Sequence, residues 1–269
     1  GGDITIQVGG NLTLRGTSGA TPGAIISSSR TAGTGGTEAA GDIIIQATGA
    51  NSRITLETGS KVLANGTGKA GAITITAGHS IVIDGLVSST GSPTTLGRGM
   101  PITIGAGCDL TISDTGTVSS KGTDPGADLV HLEGGCSVTI FGLVESTGVG
   151  HGQLTDTTRL CREPTRPDKP SYSAACVEVW AGDTLTINST GTHNGQVNAD
   201  TGGSGGVAGT SWVDLIARGD IQIVGRASAS GVFAVHANGN GGNDNGGTVT
   251  TNSTQGNVCL LYTSDAADE

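Results

Sequence analysis

Apolar and polar positions alternate along this chain in paired triplets, apolar-x-apolar, joined by a short link that usually contains glycine. The pairs are Ile4-Thr5-Ile6 with Leu12-Thr13-Leu14, Ile73-Thr74-Ile75 with Ile81-Val82-Ile83, Ile102-Thr103-Ile104 with Leu110-Thr111-Ile112, and Val130-His131-Leu132 with Val138-Thr139-Ile140. Further on come Val177-Glu178-Val179 with Leu185-Thr186-Ile187, and Val213-Asp214-Leu215 with Ile221-Gln222-Ile223. A longer copy joins Ile43-Ile44-Ile45 to Ile54-Thr55-Leu56, and an incomplete one starts at Val249. The copies return every 28 to 47 residues. A period of two within each triplet predicts strands with one buried and one wet face.

A third strand follows the second triplet after a glycine, in Gly85-Leu86-Val87-Ser88-Ser89, Gly116-Thr117-Val118-Ser119-Ser120, Gly142-Leu143-Val144-Glu145-Ser146 and, more weakly, Gly225-Arg226-Ala227. The corner glycines are expected to supply left-handed backbone. Three strands and three corners per copy predict an all-β solenoid, a right-handed single-stranded parallel β-helix of about seven complete coils. The hand follows the general preference of parallel crossovers. Stacked at roughly 4.8 Å, the coils make a rod about 34 Å long. An antiparallel sandwich needs turn signals every ~8–12 residues rather than this paired-triplet spacing.

Coil length varies while the paired triplets do not, so the excess is expected in loops leaving the third corner. The largest, residues 149–175, is rich in proline and charge and is bracketed by Cys161 and Cys176. A bridge between them would close a loop of about 15 residues, worth roughly 3 kcal/mol in the chain-entropy account. Cys108 and Cys136 hold the same position in successive copies, one rung apart, where a disulfide and a pair of stacked free thiols both fit. At the far end, residues 259–269 (CLLYTSDAADE) resemble the translation of a sequencing-library adapter. That segment is expected to be non-native, with residues 1–258 a β-helical internal piece of a longer protein.

Composition narrows the class. Glycine is 49 of 269 residues without a three-residue period, which excludes collagen. The net charge of −10 becomes −7 once Asp265, Asp268 and Glu269 of the adapter-like tail are set aside. No cluster of Lys or Arg offers a phosphate track, so nucleic acid is not an expected partner, and no apolar run reaches a membrane span. Four cysteines before residue 259 fit an oxidising compartment.

Aligned copies turn positions into outward columns. The first strand's central column reads Thr5, Ile44, Thr74, Thr103, His131, Glu178, Asp214, Thr250, and a neighbouring column carries Glu133 and Trp180, with Trp212 just before Asp214. Exposed tryptophan stacks on sugar rings, so Trp180, Trp212 and Glu133 are candidates for carbohydrate binding. Carboxylates and an imidazole one rung apart suit acid–base work, which makes Glu178, Asp214 and His131 candidate catalytic residues for glycoside chemistry. The plainer alternative is a wet strand face, with the long loop folded over both tryptophans. The second strand's column of Thr13, Thr55, Val82, Thr111, Thr139, Thr186 and Gln222 suits an exposed β face. The Asn/Gly run at 238–247 occurs once and lacks calcium-repeat spacing, and no cysteine or histidine spacing matches a zinc site, so neither a metal nor a cofactor is expected.

Through repeats such as Gly10-Asn11-Leu12-Thr13-Leu14 and Gly219-Asp220-Ile221-Gln222-Ile223, residues 1–258 resemble the pectin-lyase-like β-helical stalks of large secreted bacterial adhesins of the filamentous-haemagglutinin and autotransporter type. The resemblance implies export, an extracellular or cell-surface location, and a monomeric structural or adhesive rod that presents loops to glycans. Polysaccharide lyases and glycoside hydrolases share the architecture, and an enzyme using the first-strand face is the alternative.

Overall fold

Ile, Leu and Val hold the inward triplet positions because each coil is too small to bury its own apolar face and must lend it to the coils above and below. The computed structural model describes residues 1–17, 23–29, 39–91, 99–122, 129–148, 173–189, 195–202, 210–226, 234–240 and 248–263. Its 23 strands form three sheets, all parallel. The first sheet stacks Ile4–Val8, Ile43–Ala47, Ile73–Ala77, Ile102–Ala106, Leu129–Gly134, Ser173–Ala181, Thr210–Ala217 and Thr248–Ser253. The second stacks Leu12–Leu14, Arg53–Leu56, Ser80–Ile83, Asp109–Ile112, Ser137–Ile140, Leu185–Asn188, Ile221–Arg226 and Val258–Thr263. The third stacks Ile25–Ser27, Lys61–Leu63, Leu86–Thr90, Thr117–Gly122, Leu143–Gly148, Gln196–Gly202 and Val235–Asn240. The chain is a parallel β-helix of seven complete three-strand coils, numbered 1 to 7 from the N-terminus, with two strands of an eighth. The expected triplets pair in register throughout, Ile102 opposite Ile73 and Val130 in the first sheet, and Leu110 opposite Ile81 and Val138 in the second. The all-parallel ladders exclude the sandwich.

The third sheet departs from expectation. Gly225 and Arg226 end the second-sheet strand of coil 7, and that coil's third strand is Val235–Asn240. Third strands also occur in coils 1, 2 and 6, where no pattern announced them. Their inward signal is thin: Lys61–Leu63 contributes Val62 alone, and Gln196–Gly202 contributes Val197 and Ala199. Excess chain leaves the second corner as well as the third, since residues 15–24, 189–195 and 227–234 separate second-sheet from third-sheet strands. The long loop is shorter than expected, because Ser173–Ala181 is strand; residues 149–172, Cys161 among them, lie outside the described residues. Val258–Thr263 pairs in register with Ile221–Arg226, yet Leu260 and Leu261 are 54% and 55% exposed, so the adapter-like segment adds backbone pairing and little core.

The corner glycines act differently from expectation. Among the described residues only Gly59, at φ 83°, has positive φ. From coil 2 onward most of the others are small because the coils press together. A Cβ on Gly78 would stand 2.0 Å from the Gly49 carbonyl oxygen, on Gly107 2.1 Å from that of Gly78, and on Gly135 2.3 Å from that of Gly107. At the third corner, buried serines take over the same bracing. Ser89 Oγ donates to the Gly71 carbonyl (2.9 Å) and accepts from Met100 N–H (3.0 Å); Ser120 Oγ donates to the Met100 carbonyl (3.1 Å); Ser146 Oγ accepts from Cys176 N–H (3.1 Å). All three serines are fully buried, so these bonds supply the partners that buried hydroxyls require.

Cys108 and Cys136 are joined in a disulfide, with Cα atoms 4.4 Å apart across one rung. The bond closes a 28-residue separation, which the chain-entropy account values at about 3.5 kcal/mol.

Two glycines of coil 4 separate the close-approach role from ordinary strand glycine. Gly107→Ala is expected to destabilise the protein by about 1–3 kcal/mol through the clash with a backbone oxygen. Gly105→Ala meets nothing nearer than Thr76 Cγ2 at 3.9 Å and is expected to be neutral or to stabilise by about 0.4–1 kcal/mol. Denaturant midpoints of the two variants check this, and equal effects would refute it.

Candidate functional site

The outward column of the first sheet changes character at coil 5. In-register pairing puts Thr103, His131, Glu178, Asp214 and Thr250 on consecutive rungs, and Glu133, Trp180 and Ile216 on the rungs beside them. The same pairing sets Trp212 over Cys176 and Leu129. Because a strand reverses its face at each residue, Trp212, Asp214 and Ile216 share one side, as do Glu178 and Trp180. Trp212 and Trp180 therefore flank the Glu178–Asp214 column from opposite sides. Both tryptophans and all four polar candidates lie on one face.

Glu178 is the hub of that column. His131 Nδ1 lies 3.2 Å from Glu178 Oε2, and Nε2 lies 3.7 Å from Glu133 Oε2. The His131 and Glu178 side chains are 18% and 19% exposed, whereas Glu133 is 58% exposed, so the inner ion pair is the less screened. The bond to Glu178 holds the His131 imidazole above its ordinary range, against burial that pulls the other way. On the opposite rung, burial raises the Asp214 carboxyl, and the Glu178 charge adds to it. An imidazole held above its ordinary range, the Glu178 carboxyl and an Asp214 carboxyl pushed up by burial thus follow one another up the sheet. A base and an acid side by side is what glycoside chemistry needs.

The Trp180 ring is 44% exposed and meets the His131 ring edge-on, with centroids 5.6 Å apart at 71°. Beside it lies an open depression of about 460 Å³, lined by Glu133, Gly135, Trp180, Gly182, Ile216 and Arg218 among others. His131, Glu178 and Asp214 are not in its wall. The hollow sits toward the first corner, on the far side of Trp180 from the carboxylate column. Gly135 and Gly182 leave its floor bare for the same close-stacking reason that governs the corner. Sequence reasoning missed this hollow and Arg218. The available signal was an arginine following Ala217 where the copies before it carry glycine after Gly134 or Ala181.

Cys108, Asp109 and Cys136 bring ligand atoms within 4.8 Å of one another, but the two sulfurs are bonded to each other and offer no thiolate to a metal. His79 lies in the first-corner column below Cys108. His236 pairs with Asp200 on the third sheet. His151 and His193 lie outside the described residues.

No protein-family model, no curated protein and no solved structure matches the chain.

The raised pKa values of His131 and Asp214 carry the same sign. Each binds its proton more tightly in the folded chain, so each contributes stability that is present at low pH and lost as pH rises through its folded pKa. For His131, whose ordinary value is 6.5, the loss falls above that value. Glu178→Gln is expected to bring the His131 titration down toward 6.5 and to flatten the stability slope across that range. An imidazole titration by NMR that does not move in the variant would contradict the pairing.

Proposed function

We propose that this chain is a structural rod of a secreted or cell-surface protein and that the first-sheet face of coils 5 to 7 binds carbohydrate. The carrying observation is Trp180, a large aromatic ring left 44% exposed beside a hollow with a glycine floor. Burying the face of an indole against the apolar face of a sugar ring removes both from water, and Glu133 and Arg218 at the rim suit hydroxyl groups. The His131 contact restrains the ring, so little freedom is lost on binding. A parallel β-helix that carries the Cys108–Cys136 disulfide fits an oxidising exterior. The adhesin-like reading rests on the resemblance of the repeats and on this face. Among the described residues no helix is long and apolar enough to cross a membrane.

A second reading is supported by a separate observation. Asp214, its carboxyl pushed up by burial, stands one rung from the Glu178 carboxyl, and two carboxyl groups in different surroundings are what a polysaccharide lyase or glycoside hydrolase requires. The hollow lies away from that pair, which favours binding over turnover.

Tryptophan fluorescence and affinity electrophoresis against neutral and acidic polysaccharides test the binding reading. Trp180→Ala is expected to weaken binding about tenfold or more, which is roughly 1.4 kcal/mol. Binding that is indifferent to Trp180 would overturn it. Release of reducing ends or unsaturated products that vanishes in a Glu178→Ala/Asp214→Ala variant would establish the enzyme instead.

A further inference from the structure

Coils 4 and 5 carry their disulfide at the first corner, and a carboxylate stands against it. Asp109 brings an oxygen within 4.8 Å of both Cys108 Sγ and Cys136 Sγ, and all three residues are half-buried. Other rungs show that this placement is particular to coil 4. In the same column of the second sheet, Asn11 Oδ1 accepts from Arg53 N–H (2.9 Å) and Asp220 Oδ1 from Asn257 N–H (2.8 Å), so each caps the backbone of the coil above. Asp109 caps nothing. The Ser137 N–H above it goes to the Cys108 carbonyl (3.2 Å), while the Ser137 hydroxyl donates to Asp109 Oδ1 (2.7 Å). The other carboxylate oxygen takes no hydrogen bond among the described residues.

Reduction changes what this corner offers. A phosphine opens the bridge by taking up the oxygen of one water molecule, and that water's two protons go to the two sulfurs. A dithiol does the same by closing its own disulfide. The thiols then stay one rung apart, because the backbone beneath them is held independently of the bridge. Cys136 N–H donates to the Cys108 carbonyl and Cys108 N–H to the His79 carbonyl, both at 2.7 Å, and the two Cα atoms lie 4.4 Å apart. Two thiolates beside a carboxylate gather three negative charges, which repel one another unless a cation sits among them. Sulfur ligands select soft or borderline ions, so zinc suits this set where calcium and magnesium, which prefer oxygen shells, do not. The Ser137 hydroxyl is the kind of outer partner that orients a ligating carboxylate.

We propose that reduction converts the Cys108–Cys136 bridge into a binding site for a divalent ion of the zinc class, made of both thiolates and the Asp109 carboxylate. The ion displaces the two thiol protons as it binds, and water fills the remaining position. Its ligands come from coils 4 and 5, so the ion ties together the two coils that the disulfide ties.

The test compares the untagged full chain in its oxidised form and after reduction with a phosphine, each dialysed against Zn²⁺ without oxygen, with Ca²⁺ as control and elemental analysis as the readout. The reduced chain is expected to hold a Zn²⁺ that the oxidised chain does not hold and that Cys136→Ser loses. Asp109→Asn is expected to weaken binding about tenfold or more. Cys176 is also disulfide-bonded and opens under the same reductant, so Cys176→Ser is the control that keeps the ion. Co²⁺ in place of Zn²⁺ is expected to give sulfur-to-metal charge-transfer absorption in the reduced wild-type chain. Circular dichroism follows the strands, and Zn²⁺ is expected to raise the Tm of the reduced chain and not that of the oxidised one. A reduced chain that takes up no ion, or that loses its strands before the ion is added, overturns the site. So does an ion that survives Cys136→Ser, that binds the oxidised chain equally, or that is indifferent to Asp109→Asn.

Discussion

Everything in this molecule depends on one coil lying in register on the next. Backbone ladders run between coils, side-chain columns run up the inside, and no coil has a hydrophobic core of its own. The requirement is most severe at the first corner, where the carbonyl oxygen of one glycine fills the space in which the next coil's Cβ would stand. From coil 3 to coil 6 a corner packed this closely holds glycine and keeps the rungs from sliding, and Arg218 takes the position in coil 7. The valine column Val62, Val87, Val118, Val144 and Val197 inside the third sheet and the buried serines outlining the third corner carry the same alignment round the coil.

That regularity explains which parts were legible in the sequence. Two strands per coil could be read because Ile-Thr-Ile and Leu-Thr-Ile carry an apolar signal of period two, and the columns of the first and second sheets followed from counting. The third sheet was only partly legible. A strand such as Lys61–Leu63 needs a single inward valine, and pattern recognition needs at least two points. Glycine was recognised at the corners but given the wrong task, since close approach and left-handed backbone call for the same residue and differ only in coordinates. The serines at 89, 120 and 146 look like wet-face residues in sequence, and their burial depends on where the chain returns from the third corner. Columns within one sheet placed His131, Glu178, Asp214 and both tryptophans together, whereas the hollow beside Trp180 and the Asp200–His236 pair arise where counting carries no information about side-chain direction.

Chemistry enters the rod as exceptions to its columns. A threonine column becomes histidine, then glutamate, then aspartate, and each change alters the field felt by the rung above and below. Burial supplies part of the Asp214 shift and the neighbouring Glu178 charge supplies the rest. The identical spacing of the rungs makes such a site easy to build, because three adjacent substitutions place three groups in line without any change in backbone.

The disulfide between Cys108 and Cys136 has a mechanical meaning that its free energy does not express. It runs across a rung, joining coil 4 to coil 5, so it lies along the direction in which a rod is pulled. A solenoid under tension peels coil by coil, each released segment lengthening the tether. Peeling that arrives from the N-terminal side meets a covalent clamp at the coil that carries His131. The polar face of coils 5 to 7 then sits behind a mechanical stop, held in shape while the coils before it absorb the load.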